Sequence, residues 1–154
     1  MMTTHRRMFG ATVGALLAAV GVSVSSTALA TAQSLQPFKT VWQGVYTQAE
    51  AARGKQAAAQ LCSRCHGVNL AGGAAPRLTG SPFFERWHDL KVLDTTAYIQ
   101  SAMPHEHEVF VSAEATRDIV AFMLQESGVP PGREPMPKDV DALSNILITR
   151  PPGK

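Results

Sequence analysis

The residues of this sequence that are best suited to chemistry are two cysteines and a histidine within five positions. They occur as Cys62-Ser63-Arg64-Cys65-His66, and this spacing is typical of chains to which haem is attached covalently. Each thiol can form a thioether with one haem vinyl group, and the imidazole can coordinate the iron. The motif therefore predicts one covalent haem with His66 as its proximal ligand.

Three other interpretations of the same motif compete with haem attachment: a thioredoxin-like redox pair, half of a zinc site, and a chance occurrence. A redox pair of this spacing is typical of a βαβ context, and the residues before Cys62 have a helical composition instead. A structural zinc site usually has four Cys or His ligands, yet the chain contains only two cysteines. The motif favours haem and leaves a thiol or metal-binding module as the non-haem alternative.

Composition and charge limit the remaining possibilities. The chain has 154 residues, enough for one domain, and both cysteines lie in the motif, so no disulfide framework is predicted. It carries 14 basic and 12 acidic residues, and removing Arg6 and Arg7 leaves 12 against 12. A chain without excess charge offers no electrostatic reason to bind nucleic acid or an anionic membrane.

Residues 1–32 have the parts of a cleavable export signal. Arg6-Arg7 gives a basic start, Phe9–Val24 is an apolar run, and small residues precede possible cleavage sites near Ala30 or Ala32. The apolar run is shorter than the ~20 residues that a membrane-spanning helix needs. The sequence therefore predicts a periplasmic protein without a membrane span in its mature form, exported by the general or the twin-arginine route.

The rest of the chain divides into a lead, a helical domain and a tail. Residues 33–46 form an extended N-terminal lead, residues 47–128 carry helical patterns, and residues 129–154 form a proline-rich tail with a possible short helix over 139–148. Helix starts are predicted at four places: Thr47 with Glu50, Ser81 before Pro82, Asp94, and Ser112. No long strand pattern is present, so the predicted fold class is all-α.

The sixth ligand of the iron decides which function a bound haem can have. Met103 is the first candidate, because its thioether lies on a loop after a helix and favours ferrous iron. His105 and His107 are rivals two and four residues further on, and an open sixth position is the third possibility. Met123 and Met136 are weaker candidates, since a methionine more often packs in a core.

Aromatic residues of the helix that follows Ser81 are expected to serve the core or the haem pocket. Phe83 and Phe84 fit the core best. Trp87 fits either role, since its indole N–H can donate a hydrogen bond to a haem propionate.

Residues 44–132 resemble the class I c-type cytochromes, particularly the cytochrome domains and small partners of bacterial periplasmic dehydrogenases. The matching stretches are Gly44-Val45-Tyr46-Thr47, Cys62-Ser63-Arg64-Cys65-His66-Gly67, Gly72-Gly73-Ala74-Ala75-Pro76-Arg77-Leu78-Thr79-Gly80, Met103-Pro104 and Leu124-Gln125-Glu126-Ser127-Gly128-Val129-Pro130. The resemblance implies a bundle of short helices around one haem c, with His66 and Met103 as axial ligands. It also implies that the Pro76 carbonyl accepts a hydrogen bond from His66 and that Leu78 belongs to the haem pocket.

The resemblance also pairs a small glycine of the first helix with an aromatic residue of the last, and Gly54 and Phe122 match those positions. Two departures from the family pattern are present. Ala58 stands where the family usually has a large aromatic side chain, which predicts a looser haem pocket or helix crossing. Residues 105–110 replace the usual proline-glycine turn after the methionine, which leaves the conformation and redox tuning of that loop open.

Together these features predict a small exported electron-transfer protein and not an enzyme. One haem would carry single electrons from a periplasmic dehydrogenase to an oxidase or another cytochrome. The surface around the thioethers, including Arg64, is the expected docking patch. The alternative is a haem enzyme or gas sensor whose sixth position is open or bound by histidine.

Overall fold

Helices dominate the computed structural model, which describes residues 38–104 and 109–153. The α-helices of this part of the chain are α1 (Gln48–Leu61), α2 (Ser63–His66), α3 (Ser81–Trp87), α4 (Val92–Ala102), α5 (Ala113–Glu126) and α6 (Val140–Ser144). Two strands of two residues each, β1 (Lys39–Thr40) and β2 (Ile146–Leu147), pair in parallel. The predicted all-α class is confirmed, and the strand pair is a short addition to it.

Helices α1 and α5 cross, and they form the most extensive helix pair of the described residues. A Cβ atom on Gly54 of α1 would overlap the carbonyl oxygen of Asp118 on α5, so only glycine allows this approach. Arg53 reinforces the crossing, because its Nε and Nη2 donate to the Asp118 carboxylate at 2.8 and 2.7 Å. The close contact at Gly54 is thus made with the α5 backbone at Asp118, whereas Phe122 lines a small cavity together with Ala58.

Hydrogen bonds at the N-termini of α1 and α5 confirm two of the predicted helix starts. The Thr47 hydroxyl accepts from the Glu50 N–H at 3.3 Å, and the Glu50 carboxylate accepts from the Thr47 N–H at 2.8 Å. The Ser112 hydroxyl accepts from the Ala115 N–H at 3.2 Å at the start of α5. These caps fix where both helices of the crossing begin.

The other two predicted starts are wrong by one and three residues. Gly80, with φ 70°, precedes α3, and Ser81 is the first helical residue without a cap bond from its side chain. Lys91 precedes α4, and Asp94 lies three residues further on, where its carboxylate accepts from the Lys91 N–H at 2.8 Å. Asp94 therefore acts from the third helical position, as a glutamate does in a capping box.

The C-terminal segment folds back onto the start of the described chain. Strand β2 pairs with β1, and the Trp42 indole N–H donates to the Thr149 carbonyl at 3.0 Å. The Glu50 carboxylate accepts from the Met136 N–H at 2.9 Å, and Met136 is 2% exposed. The helix predicted over 139–148 is shorter than expected, because α6 gives way to β2 before its end.

The described part of the predicted lead, residues 38–46, is not wholly extended. After β1 a 3-10 turn spans Val41–Gln43, and Tyr46 is fully buried, with its hydroxyl donating to the Val129 carbonyl at 2.6 Å. Burial raises the pKa of Tyr46 to about 12, since a phenolate would lose its hydration there. The lead is therefore tied to the segment that follows α5.

Several sequence predictions concern residues outside the described ranges. These are the export signal in 1–32, residues 33–37 of the lead, and the candidate ligands His105 and His107. They stay predictions. Among the residues that are described, no helix is both long enough and apolar enough to cross a membrane.

Candidate cofactor site

A cavity of about 320 Å³ lies among the helices, and all seven residues predicted to bind or contact a cofactor line it. These are Cys62, Cys65, His66, Pro76, Leu78, Trp87 and Met103. The other lining residues are Leu61, Ala75, Tyr98, Ile99, Pro104, Val111, Ile119 and Met123. The lining is almost wholly apolar, with two thiols, one imidazole and two thioethers as its possible attachment points and metal ligands.

One thiol lies between α1 and α2, and the other lies on α2. Cys62 continues α1, since its N–H donates to the Ala58 carbonyl at 2.9 Å, and Cys65 lies on α2. Both thiols are free, with Cys62 partly buried and Cys65 exposed. Burial raises the pKa of the Cys62 thiol to about 11, whereas reactive redox thiols have a lowered pKa. This property weighs against the thioredoxin-like interpretation of the motif.

His66 is held in one orientation and one tautomer. Its Nδ1 lies 2.7 Å from the Pro76 carbonyl oxygen, the contact that the resemblance implies, and the residue is 8% exposed. A carbonyl oxygen only accepts hydrogen bonds, so Nδ1 carries the hydrogen, and in the neutral imidazole Nε2 keeps its lone pair. A bond of this kind orients a ligand ring and raises its basicity. His66 is therefore prepared to bind a metal through Nε2.

Backbone hydrogen bonds position the loop that supplies Pro76 and Leu78. The Ala75 N–H donates to the Cys65 carbonyl at 2.8 Å, directly before Pro76. The Leu78 N–H donates to the Leu70 carbonyl at 3.0 Å. The loop is thus fixed against the cysteine motif itself, and this explains how an irregular, glycine-rich stretch can hold the Pro76 carbonyl in place for the imidazole.

Met103 is the first residue after α4, and its side chain is partly buried at the cavity. Its N–H donates to the Ile99 carbonyl at 3.1 Å, which ties it to the last turn of the helix. Met123 also lines the cavity, from α5, and is 2% exposed. Met136 does not line it. The structure therefore brings two of the three methionines weighed as ligands to the same cavity.

Trp87 is the last residue of α3, and it lines the cavity. It is 7% exposed, and its ring meets that of Tyr98 edge-on, with 5.5 Å between the ring centres. The indole N–H of Trp42 donates to a backbone carbonyl, whereas the indole N–H of Trp87 has no acceptor among the described residues. Trp87 thus offers an unused donor, as the propionate hypothesis requires.

Sequence reasoning missed Tyr98 and Ile99 as residues of the site. Both lie on α4 within the last turns before Met103 and line the cavity. A helical stripe traced back from Met103 by four residues would have found Ile99, because such positions share a helix face, whereas no spacing in the sequence indicates Tyr98. Ile119 lies one turn before Met123 on the buried face of α5 and also lines the cavity.

The residues of the cavity fit a covalently bound haem. They supply two thiols at the sequence spacing of a haem attachment motif, an imidazole with a free Nε2, a thioether after α4 and an apolar lining for the porphyrin. In residues 38–104 and 109–153, no group of three or more Cys, His, Asp or Glu side chains could hold a metal ion by itself.

A second cavity, of about 180 Å³, lies beside Ala58. Its lining includes Lys55, Val68, Leu70 and Phe122. Ala58 is 1% exposed, so a larger side chain at this place would have to occupy the cavity. The space left by the small residue therefore lies between α1 and the loop after the motif.

The part of the chain that lines the larger cavity is similar to a known protein family. Residues 49–123 match the family model described as cytochrome c oxidase, cbb3-type, subunit III, and every lining residue of the larger cavity falls within this range. A search of curated protein sequences found no significant match. Among solved structures, the sulfane dehydrogenase SoxCD from Paracoccus pantotrophus is similar, with 19% identity and a TM-score of 0.47, over 88% of this chain and 66% of that one. This chain thus spans about two thirds of the length of that structure.

Proposed function

Because this chain belongs to the class I c-type cytochromes, we propose that it is an exported electron carrier with one haem c. The haem is attached through thioethers to Cys62 and Cys65, and His66 and Met103 are its axial ligands. A periplasmic dehydrogenase donates the electron, and an oxidase or another cytochrome accepts it.

The observation that carries the proposal is the convergence of four residues on one apolar cavity. Cys62, Cys65 and His66 arrive from the end of α1 and from α2, whereas Met103 arrives from the end of α4. Met103 lies 37 positions after His66 in the sequence, so the spacing of the motif does not by itself bring the thioether to the thiols and the imidazole. Their meeting in one cavity supports a single site that uses all four.

Each residue of the site has a separate task in this proposal. When bound, the haem supplies one-electron chemistry through its iron. Cys62 and Cys65 tether the group to the motif, and the bond to Pro76 keeps the His66 ring in the orientation that presents Nε2. The Met103 thioether favours the reduced state, and with both axial positions taken no place is left for a substrate.

The proposed location and partners rest on the sequence and on exposure near the motif. The basic start and apolar run of residues 1–32 support export. Weak redox encounters use small interfaces, and the exposed side chains of Cys65 and Val68 support docking beside the thioethers.

A matched pair of methionine variants tests the axial ligand, in protein matured with the haem attachment machinery. Met103→Leu is expected to abolish the sulfur-to-ferric-iron charge-transfer band. Met123→Leu removes the other thioether of the cavity and is expected to keep the band. Persistence of the band in Met103→Leu and its loss in Met123→Leu would transfer the ligand role to Met123. A denatured mass without haem in the matured wild type would rule out covalent attachment.

The rate of carbon monoxide binding distinguishes an electron carrier from a haem enzyme or gas sensor. An iron with two fixed protein ligands has no free position, so the reduced wild type is expected to bind carbon monoxide slowly and Met103→Leu to bind it faster. Rapid binding by the wild type at neutral pH would favour an open sixth position. A six-coordinate wild type that lacks the charge-transfer band and keeps its spectrum in Met103→Leu would favour His105 or His107.

A further inference from the structure

The second cavity, beside Ala58, is separate from the candidate cofactor site. Its volume is about 180 Å³, and none of the described residues that line it also lines the larger cavity. The proposed axial ligands and both thiols lie outside it. A group bound in the larger cavity would therefore leave this space unfilled, and the cavity beside Ala58 is available to a second ligand.

The buried part of this lining is apolar. Ala58 of α1, Leu70 and Phe122 of α5 are each at most 2% exposed, and the exposed apolar side chain of Val68 also lines the cavity. A water molecule held in a cavity needs two to four polar partners, and these side chains supply none. An apolar cavity of roughly 150 Å³ is large enough to bind benzene. Chemistry and volume therefore suit a single aromatic ring.

Lys55 gives the cavity beside Ala58 a positive charge, and it is the one charged residue among the described residues of the lining. It lies on α1 three residues before Ala58, is exposed, and has no hydrogen bond or ion pair with any described residue. Residues 51–84, which supply all of the lining except Phe122, contain four Lys and Arg residues and no Asp or Glu. The local charge therefore favours an anion, and the ammonium group of Lys55 can donate to a carboxylate.

We propose that the cavity beside Ala58 is a binding site for a small aromatic carboxylate. The ring lies against Ala58, Leu70 and Phe122, and the carboxylate pairs with Lys55 on the exposed side. Binding removes apolar surface of the ring and of the lining from water, and this supplies most of the binding free energy. An exposed ion pair adds little to the affinity, but it selects an anionic ligand over a neutral or cationic one.

NMR titration of the purified mature protein with phenylacetate tests this inference. In the reduced wild type we expect saturable shifts of the Val68 and Leu70 methyl signals, whereas those of Val111, in the larger cavity, should not move. Ala58→Phe fills the cavity with a ring of the protein itself, so the shifts should be lost. The control, Ala52→Phe, adds the same side chain at an exposed position of α1 outside the lining and should bind phenylacetate like the wild type.

Two further variants keep the test informative if Ala58→Phe does not fold. Ala58→Val reduces the cavity by less and is expected to weaken phenylacetate binding. Lys55→Gln removes the charge and should weaken binding by up to about fivefold, whereas Lys138→Gln, at an exposed position of the C-terminal segment, should have no effect. Toluene, which has the ring without the carboxylate, should bind the wild type and Lys55→Gln equally.

Three results would overturn the inference. The first is the absence of saturable shifts in the wild type up to the solubility limit of phenylacetate, or equal affinities of the wild type and the folded Ala58 variants. The second is a shift of the Val111 signals in place of those of Val68 and Leu70, which would move the ligand to the larger cavity. The third is equal affinity of the wild type and Lys55→Gln for phenylacetate, which would overturn the choice of a carboxylate. The proposed function is tested separately, because it depends on covalent haem and this site does not.

Discussion

The α1–α5 crossing and the α3–α4 region satisfy their buried polar groups to different degrees. In the crossing, the Asp118 carboxylate receives two N–H groups from Arg53, and the Glu50 carboxylate receives the Met136 N–H. In the α3–α4 region, the Thr95 hydroxyl is fully buried and has no partner among the described residues. The crossing is thus complete within the polypeptide, and the α3–α4 region is not.

The two regions also differ in the polar groups that face the larger cavity. Helices α3 and α4 present Trp87, Tyr98 and Ile99 to the cavity, and the Trp87 indole N–H has no acceptor there. Apolar surface that faces a cavity gains its full burial only when the cavity is filled. Under the proposed function, the α1–α5 crossing therefore acts as the scaffold, and the α3–α4 region is the part whose burial a bound haem would complete.

The largest effect is expected from Gly54→Ala, which breaks the crossing. The new methyl group would overlap the Asp118 carbonyl, so α1 and α5 must move apart, at a cost of ~3 kcal/mol of unfolding free energy or more. Urea unfolding of the haem-loaded protein measures this loss. Gly128→Ala is the control, because a Cβ there meets nothing within 4 Å and costs only ~1 kcal/mol of backbone strain at φ 84°. Equal losses in the two variants would mean that the crossing is not tightly packed at Gly54.

Local signals in the sequence predicted the scaffold only in part. The start of α1 follows from Thr47 and Glu50, and the end of α4 from Pro104, because caps and prolines act within a few residues. The bond from Met136 to Glu50 joins residues 86 positions apart, and no local pattern indicates it. The misplaced start at Asp94 has a local cause too, since an aspartate can serve a helix from the cap or from the third position.

The candidate site, like the scaffold, was predicted from the sequence only in part, because only some of its residues follow a local pattern. Haem attachment imposes a fixed spacing on Cys62, Cys65 and His66, so chemistry alone makes the motif visible in the sequence. Tyr98 and Met123 line the cavity because of how α4 and α5 pack against the other helices, and helix placement is set by tertiary contacts rather than by spacing. Sequence reasoning therefore predicted the proposed ligands and missed much of the apolar lining.

Met103→Leu is expected to have an intermediate effect on local stability, and this effect should be confined to the α3–α4 region. Without the proposed iron–sulfur bond, the end of α4 opens more readily, so its amides are expected to exchange roughly tenfold faster, which corresponds to ~1.4 kcal/mol of local stability. Amides of α1 and α5 should keep their wild-type protection. Native-state hydrogen exchange of the haem-loaded protein, followed by mass spectrometry, measures both regions together.

The control for this measurement is Met123→Leu, which changes a lining residue of α5 and leaves the proposed ligand in place. It is expected to leave exchange in α4 unchanged. If Met103→Leu accelerated exchange in α1 and α5 as much as in α4, the two regions would form one cooperative unit, and the distinction between them would fail.

The smallest expected effect is the difference in unfolding free energy between variants of two neighbouring threonines of α4. The Thr95 hydroxyl is buried without a partner, whereas the Thr96 hydroxyl donates to the Leu93 carbonyl at 2.8 Å. Thr95→Val replaces an unpaired hydroxyl with a methyl group of similar size, so it should leave the unfolding free energy unchanged or raise it by up to ~1 kcal/mol. Thr96→Val loses a hydrogen bond and should lower it by about 1 kcal/mol. If urea unfolding of the haem-loaded proteins showed equal losses, Thr95 would have a partner in the mature protein, and the α3–α4 region would then be as complete as the crossing.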